Sequence, residues 1–344
     1  MTKNAGYRVA LVGTDSLKGK EMRNVLNEGK MPLAEMGFFD AGVEEEFSKL
    51  TQFRGAPKVI HHLDETSLLP YDLVFFAGSP EVNRKFAAVA ADNDIWAMDL
   101  GGSYKRNKEM PVVVAGVNDE AAFIPKPGIL VSPHPVTIFL SHLFHLFLVH
   151  AGLSEAIVFV LQPVSAFDNS GIEELANQCF DVLQGGSIKN DVFKAQIAFN
   201  LLSHSGSSGD KEFALMEIRI AAEVKQVLKT PELPLSLAVI QAPVFFTYSL
   251  MIRFKLRRKT RVADLENLFK KSSYFEYTAA RRTCSVSSVS VTGKDKIHIG
   301  RIKKESSPPN SFWIWAVADN LTRGSALNAY EIAGEVLSAA SRKK

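Results

Sequence analysis

The feature that most constrains the fold is an apolar strand, a glycine-containing turn and a helix, met in that order near the N-terminus. Residues Tyr7–Val12 are almost entirely apolar, the turn spans residues 13–19, and a helical pattern follows over 19–27. In a strand–turn–helix unit of this kind, glycines let the backbone approach a pyrophosphate at the start of the helix. The segment therefore predicts a Rossmann-like parallel sheet with a candidate dinucleotide loop.

The spacing of apolar segments divides the chain into two regions. In the first third, short apolar strands alternate with helical patterns, which predicts a parallel sheet covered by helices. After residue 132, longer alternating strands with fewer helices predict an α+β domain. We therefore expect an α/β Rossmann-like domain from residues 1–131 and 318–344, and a second domain over 132–317. The predicted strands are 7–12, 35–40, 58–63, 73–77, 96–99, 112–114, 128–131, 156–164, 235–241, 248–256, 285–291, 296–303 and 312–317. The predicted helices are 19–27, 80–91, 135–151, 170–183, 212–228 and 319–340, with a flexible linker at 203–210.

Composition narrows the class of protein. The chain has 344 residues, of which 46% are hydrophobic and 22% charged, as in soluble globular proteins. A net charge of +3 is too small to indicate nucleic-acid binding, and the basic run 253–259 alternates like a strand with one solvated face. The apolar run 138–151 is too short and too polar to span a bilayer. We expect a cytoplasmic protein with neither a membrane nor a nucleic acid as its partner.

Cysteine and histidine give no metal site. Cys179 and Cys284 have neither metal-ligand nor disulfide spacing. Cys179 lies on the apolar face of a predicted helix, and Cys284 opens a predicted strand. His142 and His145 are three residues apart but have no acidic or cysteine neighbour, so core or interface positions are favoured. His134 is interpreted as a polar residue at a strand end, with a base or ligand as the alternative.

Four segments, in order, resemble aspartate-semialdehyde dehydrogenases, and the resemblance covers nearly the whole chain. They are Leu161-Gln162-Pro163-Val164-Ser165, Ser170-Gly171-Ile172-Glu173-Glu174-Leu175, Ile197-Ala198-Phe199-Asn200-Leu201 and the segment from Asp319 to Asn328. The resemblance implies the semialdehyde dehydrogenase fold, in which the second domain forms a homodimer. It also implies an NAD or NADP cofactor, and it places Gln162 where the family orients an acyl intermediate.

The catalytic segment departs from the family pattern. In the family this strand end reads Asn-Pro-Asn-Cys-(Ser/Thr)-Thr, and the cysteine thiolate attacks the aldehyde. Here the same frame runs from Ser132 to Thr137, with Pro135 at the cysteine position. A pyrrolidine ring offers no nucleophilic atom, whereas the family chemistry needs a thiolate or a comparable nucleophile.

Other family positions have changed as well. The substrate-binding arginine corresponds to Gln241, which loses a bidentate grip on a carboxylate. The general-base histidine corresponds to Tyr248, whose phenol, with a pKa of about 10, is a poor base at neutral pH. Lys105 replaces a further substrate-facing arginine, and Arg219 retains part of the charge of a helical Glu-x-x-Lys pair. This combination resembles the divergent Usg-type branch.

The dinucleotide loop is also altered. Gly13 and Gly19 match the family's glycines, but the middle glycine is Ser16, and Asp15 adds a negative charge that opposes phosphate binding. Asp40 suits a ribose diol rather than a 2′-phosphate, so NAD is favoured over NADP if either binds. The candidate cofactor-binding residues are Gly13, Thr14, Asp15, Ser16, Gly19, Asp40, Asn320 and Gly324.

Three hypotheses follow from these residues. The first is a catalytically degenerate homologue that acts as a scaffold or binds an unidentified protein partner, with at most weak nucleotide binding. The second is an active NAD(P)-dependent oxidoreductase of the aspartate-semialdehyde type. The third is a dehydrogenase without a covalent intermediate, in which Tyr248 or Lys105 donates the proton.

Overall fold

The structure, a computed structural model, describes residues 6–44, 49–100, 102–104, 110–124, 126–203, 210–279 and 286–343. The chain forms two compact units, Met1–His134 with Ser325–Lys344, and Pro135–Gly324. The sequence boundaries, after 131 and before 318, placed residues 132–134 in the second unit and 318–324 in the first.

The described strands are β1 (Tyr7–Val12), β2 (Leu33–Asp40), β3 (Lys49–Phe53), β4 (Ala56–His62), β5 (Leu73–Phe76), β6 (Trp96–Asp99), β7 (Ile129–Val131), β8 (Leu153–Gln162), β9 (Leu235–Gln241), β10 (Tyr248–Leu256), β11 (Phe275–Tyr277), β12 (Ile297–Lys304) and β13 (Ser311–Ala318). The described helices are α1 (Leu17–Glu28), α2 (Pro80–Asp92), α3 (Pro135–His150), α4 (Asp168–Gln184), α5 (Asp210–Val227), α6 (Val262–Lys271), α7 (Ser288–Val291) and α8 (Leu327–Lys343).

The first unit contains a seven-stranded sheet in the order β3-β4-β2-β1-β5-β6-β7. Its pairs are parallel except β3 with β4, which form an antiparallel hairpin. Side chains alternate across the sheet, so Val9 and Leu11 face one apolar core while Ala10 and Val12 face the other. This arrangement brings the carboxyl ends of β1 and β2 and the start of α1 to one edge, where the candidate dinucleotide loop lies.

The second unit contains a six-stranded mixed sheet in the order β11-β12-β13-β10-β8-β9. Strand β10 is antiparallel to both of its neighbours, β8 and β13. The expected alternation of the basic run is confirmed, because Phe254 and Leu256 are buried while Arg253 and Lys255 lie on the opposite, half-exposed face. None of the helices in the described part of the chain has the length and apolarity that a bilayer span requires.

Some predicted elements differ from the structure. The strand predicted over 285–291 is wrong within the described residues, where Ser287 caps the short helix α7. The single C-terminal helix predicted over 319–340 begins instead with a π-helical turn at Thr322–Ala326, before α8. The predicted strand 112–114 forms only an isolated bridge, between Val112 and Val131. Strands β3 and β11 and helix α6 were not predicted. Residues 204–209 of the predicted linker lie outside the described part of the chain.

Candidate functional site

The glycine turn, residues 13–19, owes both of its glycines to close packing. Gly13 has a φ of 81°, and a Cβ there would lie 2.3 Å from the amide nitrogen of Gly78. A Cβ on Gly19 would lie 2.0 Å from the carbonyl oxygen of Gly13. Because the backbone at Gly78 lies this close to Gly13, and the start of α1 this close to the turn, both glycines are needed for the fold whether or not a ligand binds.

Ser16 is the N-cap of α1, and its hydroxyl joins three parts of the first unit. Its oxygen accepts from the Gly19 amide at 2.9 Å, and its O–H faces the carbonyls of Ala77 at 2.8 Å and Gly13 at 3.0 Å. A side-chain oxygen at this position satisfies one of the amide donors that a helix leaves without an intrahelical partner. The Ser16 side chain therefore stabilises the turn through hydrogen bonds to the chain's own backbone.

Asp15, which precedes Ser16 in the turn, forms an ion pair with Lys49 at the start of β3. The pKa of the Lys49 ammonium is raised, first by the hydrogen bond and charge of Asp15 and then, more weakly, by Asp40. Asp40 ends β2 and accepts a hydrogen bond from the Gly42 amide at 3.1 Å. The Asp15 and Asp40 carboxylates therefore both act on the Lys49 ammonium at the rim of the turn.

Pro135, which the sequence frame places at the nucleophile position, begins α3. Proline is well tolerated at the start of a helix, where its missing N–H would have no intrahelical partner. The pyrrolidine is half-buried, and a Cβ on Gly324 would meet the Pro135 Cβ at 2.8 Å and the Phe139 ring at 2.9 Å. The ring therefore packs directly against the glycine of the Asp319–Asn328 segment.

Gln162, Gln241 and Tyr248 form what we call the amide–phenol network. The side-chain amide of Gln162 donates to Oε1 of Gln241 at 3.0 Å, and the Tyr248 hydroxyl donates to Oε1 of Gln162 at 3.1 Å. Nε2 of Gln241 lies 3.0 Å from the Gln162 carbonyl and 3.2 Å from that of Ala242. All three side chains are buried, and burial raises the pKa of the Tyr248 phenol far above its ordinary value.

Three strands produce this network. Gln162 ends β8, Gln241 ends β9 and Tyr248 begins β10. The register pairs Gln162 with Gln241 across the parallel β8–β9 ladder, and β10 runs antiparallel beside β8. Three sequence-predicted site residues therefore lie together because of strand register, at one end of the second sheet.

A second buried polar cluster lies two residues beyond Pro135. The Thr137 hydroxyl donates to Oε2 of Glu223 at 2.7 Å, and Nε of Arg219 donates to Oε1 of the same carboxylate at 2.6 Å. Thr137 and Glu223 are buried, whereas a third of the Arg219 side chain is exposed. Arg219, predicted as a former substrate-binding residue, is therefore held in an ion pair along α5.

Comparison with known proteins decides the family. Residues 8–123 match the semialdehyde dehydrogenase NAD binding domain, and residues 146–323 match the semialdehyde dehydrogenase dimerisation domain. The chain belongs to the semialdehyde dehydrogenase family. The relatives that match this chain include aspartate-semialdehyde dehydrogenases, which are NAD(P)-dependent oxidoreductases, and USG-1 homologues.

Two relatives and one solved structure illustrate the match. An aspartate-semialdehyde dehydrogenase of Shewanella violacea is 25% identical over 96% of this chain and 97% of its own length. A USG-1 protein homolog of Pseudomonas aeruginosa is 27% identical over 96% and 97%. The crystal structure of aspartate semialdehyde dehydrogenase II of Vibrio cholerae complexed with ASA has a TM-score of 0.90 at 24% identity, covering 97% of this chain and 98% of that one. The predicted two-domain semialdehyde dehydrogenase fold is confirmed.

Asp319 and Asn320, at the start of the C-terminal family segment, make their described side-chain contacts inside the second unit. Oδ1 of Asn320 accepts from the Thr247 amide at 3.0 Å, and its Nδ2 is 3.1 Å from the Ser165 hydroxyl. The Asp319 carboxylate accepts from the Leu321, Thr322 and Gly293 amides at 2.8–2.9 Å. Asn320 and Gly324, both predicted cofactor-binding residues, thus serve packing and hydrogen bonding within this unit.

The candidate cofactor residues of the first unit fit a dinucleotide poorly. Gly13, Gly19 and the buried Thr14 preserve the shape of the family's loop. The Ser16 hydroxyl, however, already accepts from the Gly19 amide, and the Asp15 carboxylate forms an ion pair with Lys49 beside the start of α1. A pyrophosphate would have to displace the first and approach the second, so we derive no reaction step through this group.

The described histidines and Cys179 form no metal centre. His142 is buried, stacks on Tyr274 at a ring distance of 4.0 Å, and has a pKa lowered to about 3, first by burial and then by the Arg323 charge. His145 is exposed, and the described residues contain no group of three metal-ligating side chains. Cys179 packs partly buried against an apolar cluster, as expected. Lys105 and Cys284 lie outside the described residues.

Glu223 is the residue that sequence reasoning missed. Its carboxylate accepts hydrogen bonds from both Thr137 and Arg219, yet the sequence around it contains no motif that predicts this role. The signal that could have found it is the i,i+4 spacing from Arg219, which places opposite charges side by side on a helix.

Proposed function

We propose that this chain is a catalytically degenerate member of the semialdehyde dehydrogenase family, which keeps the fold as a self-associating scaffold and does not carry out thiol-dependent aldehyde oxidation. The observation that carries the proposal is the amide–phenol network. The positions of the family's acyl-orienting glutamine, substrate arginine and general base are here three neutral, buried groups that hydrogen bond to one another.

The nucleophile position supports the same conclusion. Acyl transfer through the enzyme needs an atom that attacks the carbonyl and later leaves. Pro135 has none, and the nearby Thr137 hydroxyl is fully buried and donates to Glu223. The first turn of α3 therefore offers no substitute for a thiolate.

The base position is equally unsuited to proton abstraction. Burial raises the pKa of Tyr248, so its phenol stays protonated throughout the physiological range. Its hydroxyl donates to Gln162. A general base needs a pKa near the working pH and a vacant lone pair aimed at the substrate.

The grip on an anionic substrate has weakened as well. Gln241 is neutral, whereas an arginine would bind a carboxylate through two parallel hydrogen bonds. Arg219 keeps its charge, but the buried Glu223 carboxylate already neutralises it at 2.6 Å. A dianionic acyl phosphate would find little positive charge among these described side chains.

Self-association is supported by the outer face of the second sheet, formed by Ile157, Phe159, Met251, Trp313 and Trp315. The register aligns Phe159, Met251 and Trp315 in one row, and Ile157 and Trp313 flank Arg253 in the next. Ile157, Phe159 and Met251 are 38–41% exposed. An apolar patch on a folded sheet favours association, and the matching dimerisation model makes a second copy its natural occupant.

Other exposed apolar side chains of the second unit belong to the same proposal. Phe199 and Phe245 are 63% and 41% exposed. The charged member of the outer face, Arg253, is paired with Glu155 at 2.9 Å and with Glu305 at 3.2 Å. An interface can cover a paired charge at lower cost than an isolated one.

The test is a sensitive assay for semialdehyde oxidation coupled to phosphate, with NAD⁺ and NADP⁺ in separate reactions. The Shewanella violacea enzyme, purified in parallel, is the positive control, and a mock purification sets the background. We expect no turnover above background, since loss of a nucleophile lowers the rate by about 10⁴–10⁶. Turnover that exceeds the mock preparation and co-purifies with this chain would contradict the proposal.

A further inference from the structure

We propose that the dinucleotide loop of the first unit is occupied by the chain's own side chains, and that Ser16 and Asp15 together exclude a nicotinamide dinucleotide. This inference concerns the first unit alone and stands whether or not the second unit has an activity. The side chains of Ser16 and Asp15 take the place of the ligand's pyrophosphate, and we call them the plug.

The Ser16 hydroxyl supplies the first half of the plug. A helix N-terminus binds phosphate through amide donors that lack intrahelical acceptors. In α1 the Gly19 amide already donates to Ser16 Oγ at 2.9 Å, and the same hydroxyl lies 2.8 Å from the Ala77 carbonyl. A ligand oxygen would have to replace a bond that the folded chain makes without any loss of translational freedom.

The Asp15 carboxylate supplies the second half. A negative charge beside the N-terminus of α1 interacts favourably with the helix dipole, as a phosphate would. The ion pair with Lys49 holds that carboxylate at the rim of the turn. A pyrophosphate approaching α1 therefore meets charge repulsion from Asp15, and the Lys49 ammonium is already paired with that carboxylate.

The remaining parts of the loop are intact, which makes the exclusion reversible. Gly13 and Gly19 keep the close approach of β1 and α1, and the parallel β1–β2 pair leads to Asp40 at the position that receives a ribose diol. Removing the two side chains should uncover a loop whose backbone has the required shape.

The experiment compares the wild type with Ser16→Gly, Asp15→Asn and the double variant. Binding of NAD⁺ and NADH is measured by calorimetry and by the shift in melting temperature, so no activity is needed. We expect no saturable binding in the wild type up to about 1 mM. Each substitution should strengthen binding by about fivefold to tenfold, so that the double variant shows a saturable isotherm and a ligand-dependent rise in melting temperature.

Two further variants serve as controls. Ser79→Gly removes the equivalent N-cap from α2, where Ser79 Oγ accepts from the Val82 amide, and should leave binding unchanged. Lys49→Met removes the cation but keeps the Asp15 charge, so it should also give no binding.

The proposal is overturned by any of three results. One is micromolar binding by the wild type. Another is a double variant that is folded by circular dichroism yet binds no better than the wild type. The third is binding gained by Lys49→Met but not by Asp15→Asn, which would identify the Lys49 side chain rather than the Asp15 carboxylate as the block.

Discussion

The glycine turn of the first unit and the amide–phenol network of the second both depart from the family pattern, but in opposite ways. The turn keeps its backbone and adds two side chains, Asp15 and Ser16, at its rim. The network changes the chemistry of its side chains at the buried ends of three strands. The first is an addition at a partly exposed surface, and the second is a replacement within a core.

This difference bears on how readily each site could regain a ligand. Side chains at the rim of a loop are removed at small cost, since their neighbours stay solvated. A buried polar group is tied to its hydrogen-bond partners, so changing one member leaves the others unsatisfied. We therefore expect substitutions in the turn to restore ligand binding at little cost in stability, and substitutions in the amide–phenol network to destabilise the fold.

The largest expected effect tests whether a substitution in the amide–phenol network destabilises the fold. Gln241→Arg would place a guanidinium in a fully buried position beside two neutral partners. We expect it to lower the free energy of unfolding by about 3–5 kcal/mol, because the charge lacks a carboxylate partner. Urea unfolding measures the change, with Gln226→Arg on the exposed side of α5 as the matched control. Equal stability of the two variants would mean that the arginine can return as easily as a surface residue.

A second effect concerns pH and the buried His142. Its pKa is lowered to about 3 in the folded protein, whereas an unfolded histidine titrates near 6.5. Between these values the unfolded state binds more protons, so stability falls as the pH drops below about 6.5, by up to about 1.4 kcal/mol per pH unit.

The measurement is urea unfolding from pH 6.5 to 4.5 for the wild type and for His142→Phe, which keeps a ring against Tyr274. The difference between the two proteins isolates this histidine from the carboxylates. We expect the variant to lose about 2–3 kcal/mol less over that range. Parallel pH profiles would show that His142 is protonated in the folded protein or reaches solvent. The core of the second unit would then be more accessible to water than the burial of His142 indicates.

The smallest effect belongs to the turn. Ser16→Gly should change the free energy of unfolding by only a few tenths of a kcal/mol, and Ser16→Ala by about 1 kcal/mol, as is usual for N-caps. Ser79→Ala on α2 gives the reference value for a cap outside the loop. A loss from Ser16→Gly as large as that from Gln241→Arg would remove the distinction between the two regions.

Much of the fold was readable from periodicity. The unit from β1 to β2 and the buried helix α3 follow from apolar strands, a glycine turn and a long apolar run. Strand β3 was missed because it is short and only partly buried, and because it is joined to β4 by the two-residue turn of Arg54 and Gly55, both with positive φ. The segment 285–291 alternates serine and valine like a strand, but Ser287 and Ser290 cap one another at the start of α7.

The candidate site was only partly readable. Resemblance identified Pro135, Gln162, Gln241 and Tyr248 one by one, yet no sequence pattern states that a glutamine on β8 will meet one on β9. That contact depends on strand register, which is set by tertiary packing. The role of Ser16 was likewise hidden, because its hydroxyl reaches the Ala77 carbonyl after β5, sixty-one residues along the chain.

The outer face of the second sheet carries two of the three tryptophans in the chain. The indole of Trp313 donates to Glu305 at 2.6 Å, that of Trp315 donates to the Val286 carbonyl at 2.9 Å, and both rings are half-buried. Trp96, in contrast, lies in the core of the first unit. The intrinsic fluorescence of this protein is thus weighted towards the face proposed for self-association. Dilution that separates two copies would wet these rings and move their emission to longer wavelength, so the chain carries its own optical gauge of assembly.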